Sequence, residues 1–235
     1  MSFPDVELAT PQGMLAVGGD YSWQRLVLAY SKGIFPWSGP GEPIVWWSPD
    51  PRYVIFPDKL KVKRSMRPFI NNRRFRVTYD THFAEVIEAC RYSPRQGKQV
   101  GSWITEDLMD GYIRLHKEGF AHSVEVWSEE NELVGGLYGV GLGKVFCGES
   151  MFSRVSNASK YALIHLVKNL RRQGYWLIDC QMATEHLISL GAEPLSRREF
   201  SRTLSQNDLE ATDLGPWTEL FSDDALDDNL PAVQP

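Results

Sequence analysis

From Phe75 onward, the apolar positions follow a regular succession of periods. "RFRVTYD" alternates apolar and polar residues, the mark of a half-buried strand. "THFAEVIEAC" then places Phe83, Val86, Ile87 and Cys90 on one helical face. "TEDLMDGYIRLHKEG" reads as a second helix, capped by Thr105 and stopped by Gly119. Three strand-like runs follow, "AHSVEVW", "LVGGLYGV" and "KVFCGES"; the turn "SEENE" makes the first two a hairpin and "GLGK" joins the last two. A strong helix spans Ala158–Gln173, with a stripe of Ala162, Leu163, Leu166, Val167 and Leu170 and with Gly174 beyond it. "YWLIDCQ" is the next strand and "ATEHLISLGAE" the next helix. The unit from Lys144 to Gln181 is expected to be a right-handed parallel crossover. Ligands in such sheets bind beyond the carboxyl ends of the strands.

Upstream, the pattern is irregular. One short helix is legible: Ser22 caps it, Leu26, Val27 and Tyr30 line it, and Gly33 ends it. Seven prolines between Pro36 and Pro68 exclude long regular elements there, because proline fixes φ and removes a backbone donor. Trp46 and Trp47 are expected in the core, since the prolines around them need packing. The expected organisation is α+β: a small irregular Gly/Pro/Trp-rich N-terminal domain (1–57), an α/β domain with a mixed sheet (58–205) and an acidic C-terminal tail (206–235). The tail is poor in periodicity and is expected to be mobile.

Composition narrows the class. Apolar residues make up 43% of the 235 and charged residues 23%, which suits a packed core. No stretch reaches the roughly 18 uninterrupted apolar residues of a membrane span. The N-terminal "MSFPDVELATPQG" lacks the basic and apolar regions of a secretory signal. Cys90, Cys147 and Cys180 are scattered and form no metal-ligand spacing, which points to a reducing, cytoplasmic setting. His82, His116, His122, His165 and His186 show no metal spacing either. The net charge of −5 hides a division: residues 59–76 hold eight Lys/Arg and no acid, and residues 203–235 hold eight Asp/Glu and no base. The basic run reads as a polyanion site or as a solvated face.

Two carboxylates stand where strands should be dry, Glu149 in "FCGESMFSR" and Asp179 in "LIDCQ". A buried Asp is costly unless it is paired or functional. Asp179 and Gln181 are two apart, so they are expected to share a face, with Cys180 turned to the core. Glu149 is read as the end of one strand, and Asp179 with Gln181 as the end of its neighbour. Both acids are then expected at the mouth of one cleft. The structural alternative for Glu149 is a salt bridge to Arg154 or Lys160.

The strings "GGD", "GIFPW", "WWSPDPR", "SWIT", "HSVEVW", "LVGGLYG", "FCGESMFSR", "NASK", "LIDCQ" and "SLGA" together resemble the bacterial leucyl/phenylalanyl-tRNA–protein transferases over roughly residues 11–200. The resemblance implies a C-terminal domain like that of the GNAT acetyltransferases. It also implies a soluble cytoplasmic enzyme with no metal and no cofactor. Such an enzyme moves Leu or Phe, and less readily Met, from aminoacyl-tRNA to the α-amine of proteins beginning with Arg or Lys. The product enters the N-degron degradation route. A monomer with no membrane association is expected.

The resemblance carries the catalytic role onto Asp179 and Gln181. Asp179 would take or orient the amine's proton, and Gln181 would hold Asp179 or the reacting carbonyl. The ribose 2′-hydroxyl is an alternative proton carrier. Glu149 would hold the donor's α-ammonium or the acceptor's cationic head. Trp37 and Trp103 are candidate stacking platforms for the terminal adenosine, with Tyr30 and Tyr112 as polar tips nearby. The amino-acid side chain would enter a pocket lined by Leu137, Phe146, Leu163, Leu166 and Ile178, although alternation turns Ile178 away from Asp179. Lys63, Arg64, Arg67, Arg73, Arg74 and Arg76 would grip tRNA phosphates. Two rival classes are weaker. A coenzyme A-dependent acetyltransferase would need a glycine-bearing loop where this chain has "MFSRVSNASK", and a plain RNA-binding module gives no reason for Glu149, Asp179 and Gln181 to converge.

Overall fold

The computed structural model describes residues 2–93 and 103–223. Near the N-terminus, β1 (Met14–Val17), β2 (Phe35–Pro36) and β3 (Val45–Trp47) form a small antiparallel sheet in the order β1-β3-β2. Helix α1 (Trp23–Ser31) lies between β1 and β2 in the chain. Ser22 occupies its N-cap position, but its hydroxyl donates to Asp20 instead of capping the helix. Trp46 is buried as expected, while Trp47 is half-buried and donates its indole N–H to the Trp37 carbonyl at 2.7 Å.

The larger sheet has seven strands: β4 (Arg52–Ile55), β5 (Arg76–Tyr79), β6 (Ala121–Trp127), β7 (Leu133–Leu142), β8 (Val145–Ser153), β9 (Leu177–Gln181) and β10 (Glu193–Leu195). Their order is β10-β4-β9-β8-β7-β6-β5. β8 and β9 are the parallel pair; the neighbours on either side are antiparallel. The sheet is therefore mixed. The helices that serve it are α2 (Arg67–Asn71), α3 (Phe83–Tyr92), α4 (Glu106–Lys117), α5 (Ala158–Arg172), α6 (Glu185–Ser189) and α7 (Arg197–Ser205). Thr105 caps α4 by accepting from the Leu108 N–H at 3.3 Å.

Among the elements that escaped the periodicity are β4, β10 and α7. β4 lies upstream of Pro57, yet it enters the large sheet between β9 and β10, so that sheet draws chain from both sides of the proline. Prolines flank this four-residue strand without interrupting it. β10 is too short to show a period, and α7 is announced mainly by its capping box, Ser196 with Glu199.

The apolar stripe of α5 covers one face of the sheet, joined there by Ile55, Val77, Leu137, Phe146 and Ile178. Helices α1, α3 and α4 pack their buried residues on the other side. β7 is buried along its whole length and is rich in glycine because neighbours press on its backbone. A Cβ on Gly135 would lie 2.5 Å from that of Ala158 at the start of α5. One on Gly139 would lie 2.5 Å from Cζ of Phe146.

The expectation of a mobile acidic tail is overturned for residues 206–223. Trp217 and Phe221 belong to the core, and the backbone of Ser222 pairs with the Asn169 side chain. Two large rings and a few side-chain stitches order this segment without any periodic element, so its composition conceals its packing. Residues 224–235 lie outside the described residues. Among the described residues, no helix is long and apolar enough to cross a membrane.

Candidate active site

The parallel pairing of β8 and β9 runs through Val145↔Leu177, Phe146↔Ile178 and Cys147↔Asp179 and goes no further. Beyond it β8 stays with β7 and β9 with β4, which leaves an opening between two central strands. Glu149 is in the middle of β8, not at its end. Tyr138 pairs with Ser150 and Gly139 with Gly148, so Glu149 is the extra residue of a β-bulge. Bulges re-aim a side chain, and this one directs Glu149 into the opening.

β9 carries a matching irregularity. Tyr53 pairs with Gln181 and Val54 with Asp179, so Cys180 is the unmatched residue. Gln181 has φ 55, a left-handed backbone uncommon outside glycine. The Asp179 carboxylate accepts its N–H at 2.9 Å. This twist breaks the expected alternation. Asp179 and Gln181 do not share a face: Gln181 lines the cavity, as do Ile178 and Cys180, while Asp179 turns away. The reservation about Ile178 is removed by the same geometry, and Cys180 is cavity wall instead of core filling.

Asp179 is 0% exposed, and both its oxygens are taken by Arg52, Nε to Oδ1 at 2.7 Å and Nη2 to Oδ2 at 2.6 Å. Arg52 is itself 1% exposed. Its third nitrogen donates to the Gly33 carbonyl at 3.1 Å, and its guanidinium lies 4.8 Å from the ring centre of Phe35 and 4.9 Å from that of Phe200. Burial opposes the guanidinium charge, but the Asp179 carboxylate outweighs it and raises the Arg52 pKa. The expectation that Asp179 meets a substrate amine directly is therefore corrected: its lone pairs are occupied and it does not line the cavity. Arg52 is the principal residue that sequence reasoning missed. The run "RYVI" lies among the prolines where no regular element was read, and nothing local names a partner 127 positions away.

Glu149 is the carboxylate that faces the cavity. Tyr112 donates to its Oε2 at 2.8 Å and Gln181 Nε2 donates to its Oε1 at 3.2 Å. Tyr30 hydrogen-bonds Tyr112 in turn. Burial raises the Glu149 pKa from 4.5 to about 7, against the lowering effect of the tyrosine hydrogen bonds. Burial also lifts both tyrosines well above 10, so they stay protonated as donors. Tyr30 and Tyr112 are thus supports beneath Glu149 and do not line the cavity, contrary to the expectation of base contacts. No bridge from Glu149 to Arg154 or Lys160 forms: Arg154 donates to the Leu133 carbonyl and Lys160 to Asn157.

The cavity encloses about 640 Å³. Leu137, Phe146, Leu163, Leu166 and Ile178 all line it, as expected. Trp37 and Trp103 line it too, and Trp37 is 41% exposed. Tyr138, Met151 and His186 are among the lining residues that were not anticipated. Burial lowers the pKa of His186, with the charges of Lys160 and of Lys63, one residue of the basic run, adding to the effect.

Lys63, Arg64, Arg67, Arg73, Arg74 and Arg76 are all exposed, around a 3₁₀ turn (Arg64–Met66) and α2. Arg74 lies 5.3 Å from the Phe69 ring, and Arg76 lies 5.3 Å from the Trp127 ring while donating to Asn131 at 3.2 Å. Among the described residues, no three His, Cys, Asp or Glu side chains are placed to hold a metal.

An apolar cavity lined by a few convergent polar groups, one of them a carboxyl titrating near neutrality, is the usual form of an enzyme's binding site. The model of the leucyl/phenylalanyl-tRNA protein transferase family matches residues 54–205, and that of the family's N-terminal domain matches residues 19–50. Similar curated proteins carry the same name. One from Pseudomonas fluorescens is 54% identical over 209 residues, covering 88% of this chain and 91% of its own. One from Christiangramia forsetii is 54% identical over 204 residues, covering 86% and 95%. The solved structure of L-PGS from Bacillus licheniformis aligns at a TM-score of 0.42 and 14% identity, over 77% of this chain and 61% of that one. The chain belongs to the leucyl/phenylalanyl-tRNA–protein transferase family.

Two stability predictions follow from the ion pair and the bulge. Arg52→Leu leaves a buried carboxylate unpaired and is expected to cost about 3–5 kcal/mol in urea unfolding. Arg52→Met with Asp179→Leu removes both charges and is expected to cost clearly less; an equal loss would show that the pair's charge is not what matters. The raised pKa of Glu149 means that the folded state holds the proton more tightly than the unfolded chain. Its stability contribution is full below 4.5 and is lost as pH rises through about 7. Glu149→Gln should therefore match the parent's Tm in acid and exceed it by a margin that grows up to about neutral pH. A pH-independent margin in calorimetry would refute the assignment.

Proposed function

We propose that this enzyme transfers a leucyl or phenylalanyl group, and less readily a methionyl group, from aminoacyl-tRNA to the α-amine of a protein whose first residue is Arg or Lys. The modified protein enters the N-degron route in the cytoplasm, and the enzyme acts as a monomer. The observation that carries this reading is the chamber itself. Leu137, Phe146, Leu163, Leu166 and Ile178 suit an uncharged side chain, and Glu149 and Gln181 stand beside them to meet the carbonyl and the amine. The parting of β8 and β9 supports a GNAT-like catalytic domain, in which two substrates meet between splayed parallel strands.

The chemistry follows from the pKa values. The acceptor amine has an ordinary pKa near 8 and is mostly protonated at neutral pH. Glu149, ionised above about 7, takes one proton and leaves a neutral nucleophile. The nitrogen attacks the ester carbon, the C–N bond forms, and the C–O bond to the ribose breaks. Glu149 returns its proton to the departing ribose oxygen, directly or through the neighbouring hydroxyl, and then takes the second proton that the nitrogen sheds on becoming an amide, which passes to solvent. Gln181 orients Glu149 or the carbonyl through its amide. Asp179 acts at one remove, holding the Gln181 backbone while Arg52 holds Asp179. The ionised Glu149 also attracts a cationic N-terminal residue. Trp37 and Trp103 offer faces to the terminal adenine, each worth about 1–3 kcal/mol. The basic run follows the acceptor stem.

The direct test mixes the protein with leucyl-tRNA and an Arg-starting peptide and reads the peptide mass. One added leucine is expected, with little addition from isoleucyl-tRNA or valyl-tRNA. In the same assay, the parent's rate should rise with pH through about 7. Glu149→Gln should lose that inflection and about 10²-fold in kcat. Gln181→Ala should lower kcat with little change in the donor's KM. Near-parental turnover in both variants would remove the pair from the chemistry.

Replacing Arg73, Arg74 and Arg76 by Ala should raise the KM for aminoacyl-tRNA and shallow its salt dependence by about one unit of log–log slope per lost phosphate contact. A minimal aminoacyl-adenosine donor should be almost unaffected. Equal damage to both donors would make the patch structural.

A further inference from the structure

We propose that Trp217, in the C-terminal segment, is a positioning residue that sets the depth of the apolar chamber and so the balance between leucyl and phenylalanyl donors. The inference rests on the reading of the chamber as the amino-acid pocket. Residue 217 lies past the stretch matched by the family model, which ends at 205.

The wall of the chamber includes Phe146. This ring is confined on one side by the bare backbone of Gly139, where even a Cβ would stand 2.5 Å from Cζ. The Trp217 indole lies against it, with ring centres 5.7 Å apart. Trp217 does not line the chamber and is 1% exposed, so it touches substrate only through Phe146.

Trp217 is itself fixed from several directions. His122 stacks on it at 3.7 Å, almost parallel at 6°. Asp80 ties the two together, accepting from His122 Nδ1 at 2.8 Å and from the Trp217 backbone N–H at 2.7 Å. The indole N–H donates to the Asp213 carbonyl at 3.3 Å. Gly141 leaves room for the ring: a Cβ there would stand 3.0 Å from Cζ2. The preceding segment is stitched to the turn between β7 and β8, where Asn207 accepts from the Lys144 N–H at 2.8 Å and Thr212 from the Gly143 N–H at 2.9 Å. The layers thus run from Asp80 through His122 and Trp217 to Phe146 and the chamber. A ring backed this firmly cannot recede when a longer side chain enters, so the indole limits how much the chamber accepts.

The test uses the full chain and the kcat/KM ratio for phenylalanyl-tRNA over leucyl-tRNA, with one Arg-starting peptide as acceptor. Only folded protein turns over, so the ratio is insensitive to a loss of folded fraction. Trp217→Leu opens space behind Phe146 and is expected to raise the ratio by about 10-fold, the scale of shape selection in an apolar pocket. Trp217→Phe keeps a ring for His122 to stack on, guards against a variant that does not fold, and is expected to move the ratio in the same direction by less. Leu163→Ala, in the chamber wall, serves as the reference. If it shifts the ratio while both Trp217 variants stay within about two-fold of the parent, the inference is overturned and the chamber reading stands. If none of the three shifts the ratio, the chamber reading fails and takes the inference with it.

Discussion

Arg52 and Asp179 are sealed from water together, and the geometry of the site depends on how completely they satisfy one another. Desolvating two charges is costly, and a buried pair persists only when its remaining donors and lone pairs also find partners. Here they do. The guanidinium reaches the Gly33 carbonyl and sits beside the rings of Phe35 and Phe200, while the carboxylate also takes the Gln181 N–H. One contact thereby joins β4, β9, the turn after α1 and the C-terminal helix α7. It also holds Gln181 in a left-handed backbone that would otherwise be unfavourable, and that twist brings the amide round to Glu149.

The same pair separates the tasks of two carboxylates. Asp179 faces a permanent cation and is fixed as a structural charge. Glu149 accepts from hydroxyl and amide donors instead, and burial brings its pKa to about 7. A group titrating near neutrality can exchange protons at little cost. Two acids on adjacent strands are thus separated by which face they turn to, one held in a buried ion pair and the other turned to the cavity.

The chamber depends on supports it does not display. β7 gives up side chains at Gly135 and Gly139 so that α5 and Phe146 can approach its backbone. The C-terminal segment supplies Trp217 and Phe221 to the same core. The basic run stands on the exterior, and the charge of Lys63 bears on His186 in the cavity wall.

Much of this was legible in the chain. Helices and strands from Phe75 to Leu190 follow from apolar period, because each buries one face and repeats at its own spacing. The apolar lining residues were legible as well, and the unusual motifs were enough to indicate the family. The partner of Asp179 was not. Arg52 is remote in sequence, and pairing across a sheet is decided by register, which no local pattern records. The bulges at Glu149 and Cys180 were hidden for a similar reason: one extra residue reverses the side to which a side chain points, and only hydrogen bonding between strands fixes where it falls. The order of residues 206–223 comes from Trp217 and Phe221 finding places in a core built elsewhere. Sequence determined which elements form and what chemistry they carry. Tertiary structure decided which carboxylate faces the cavity, because that depends on contacts between segments that have no neighbour relation along the chain.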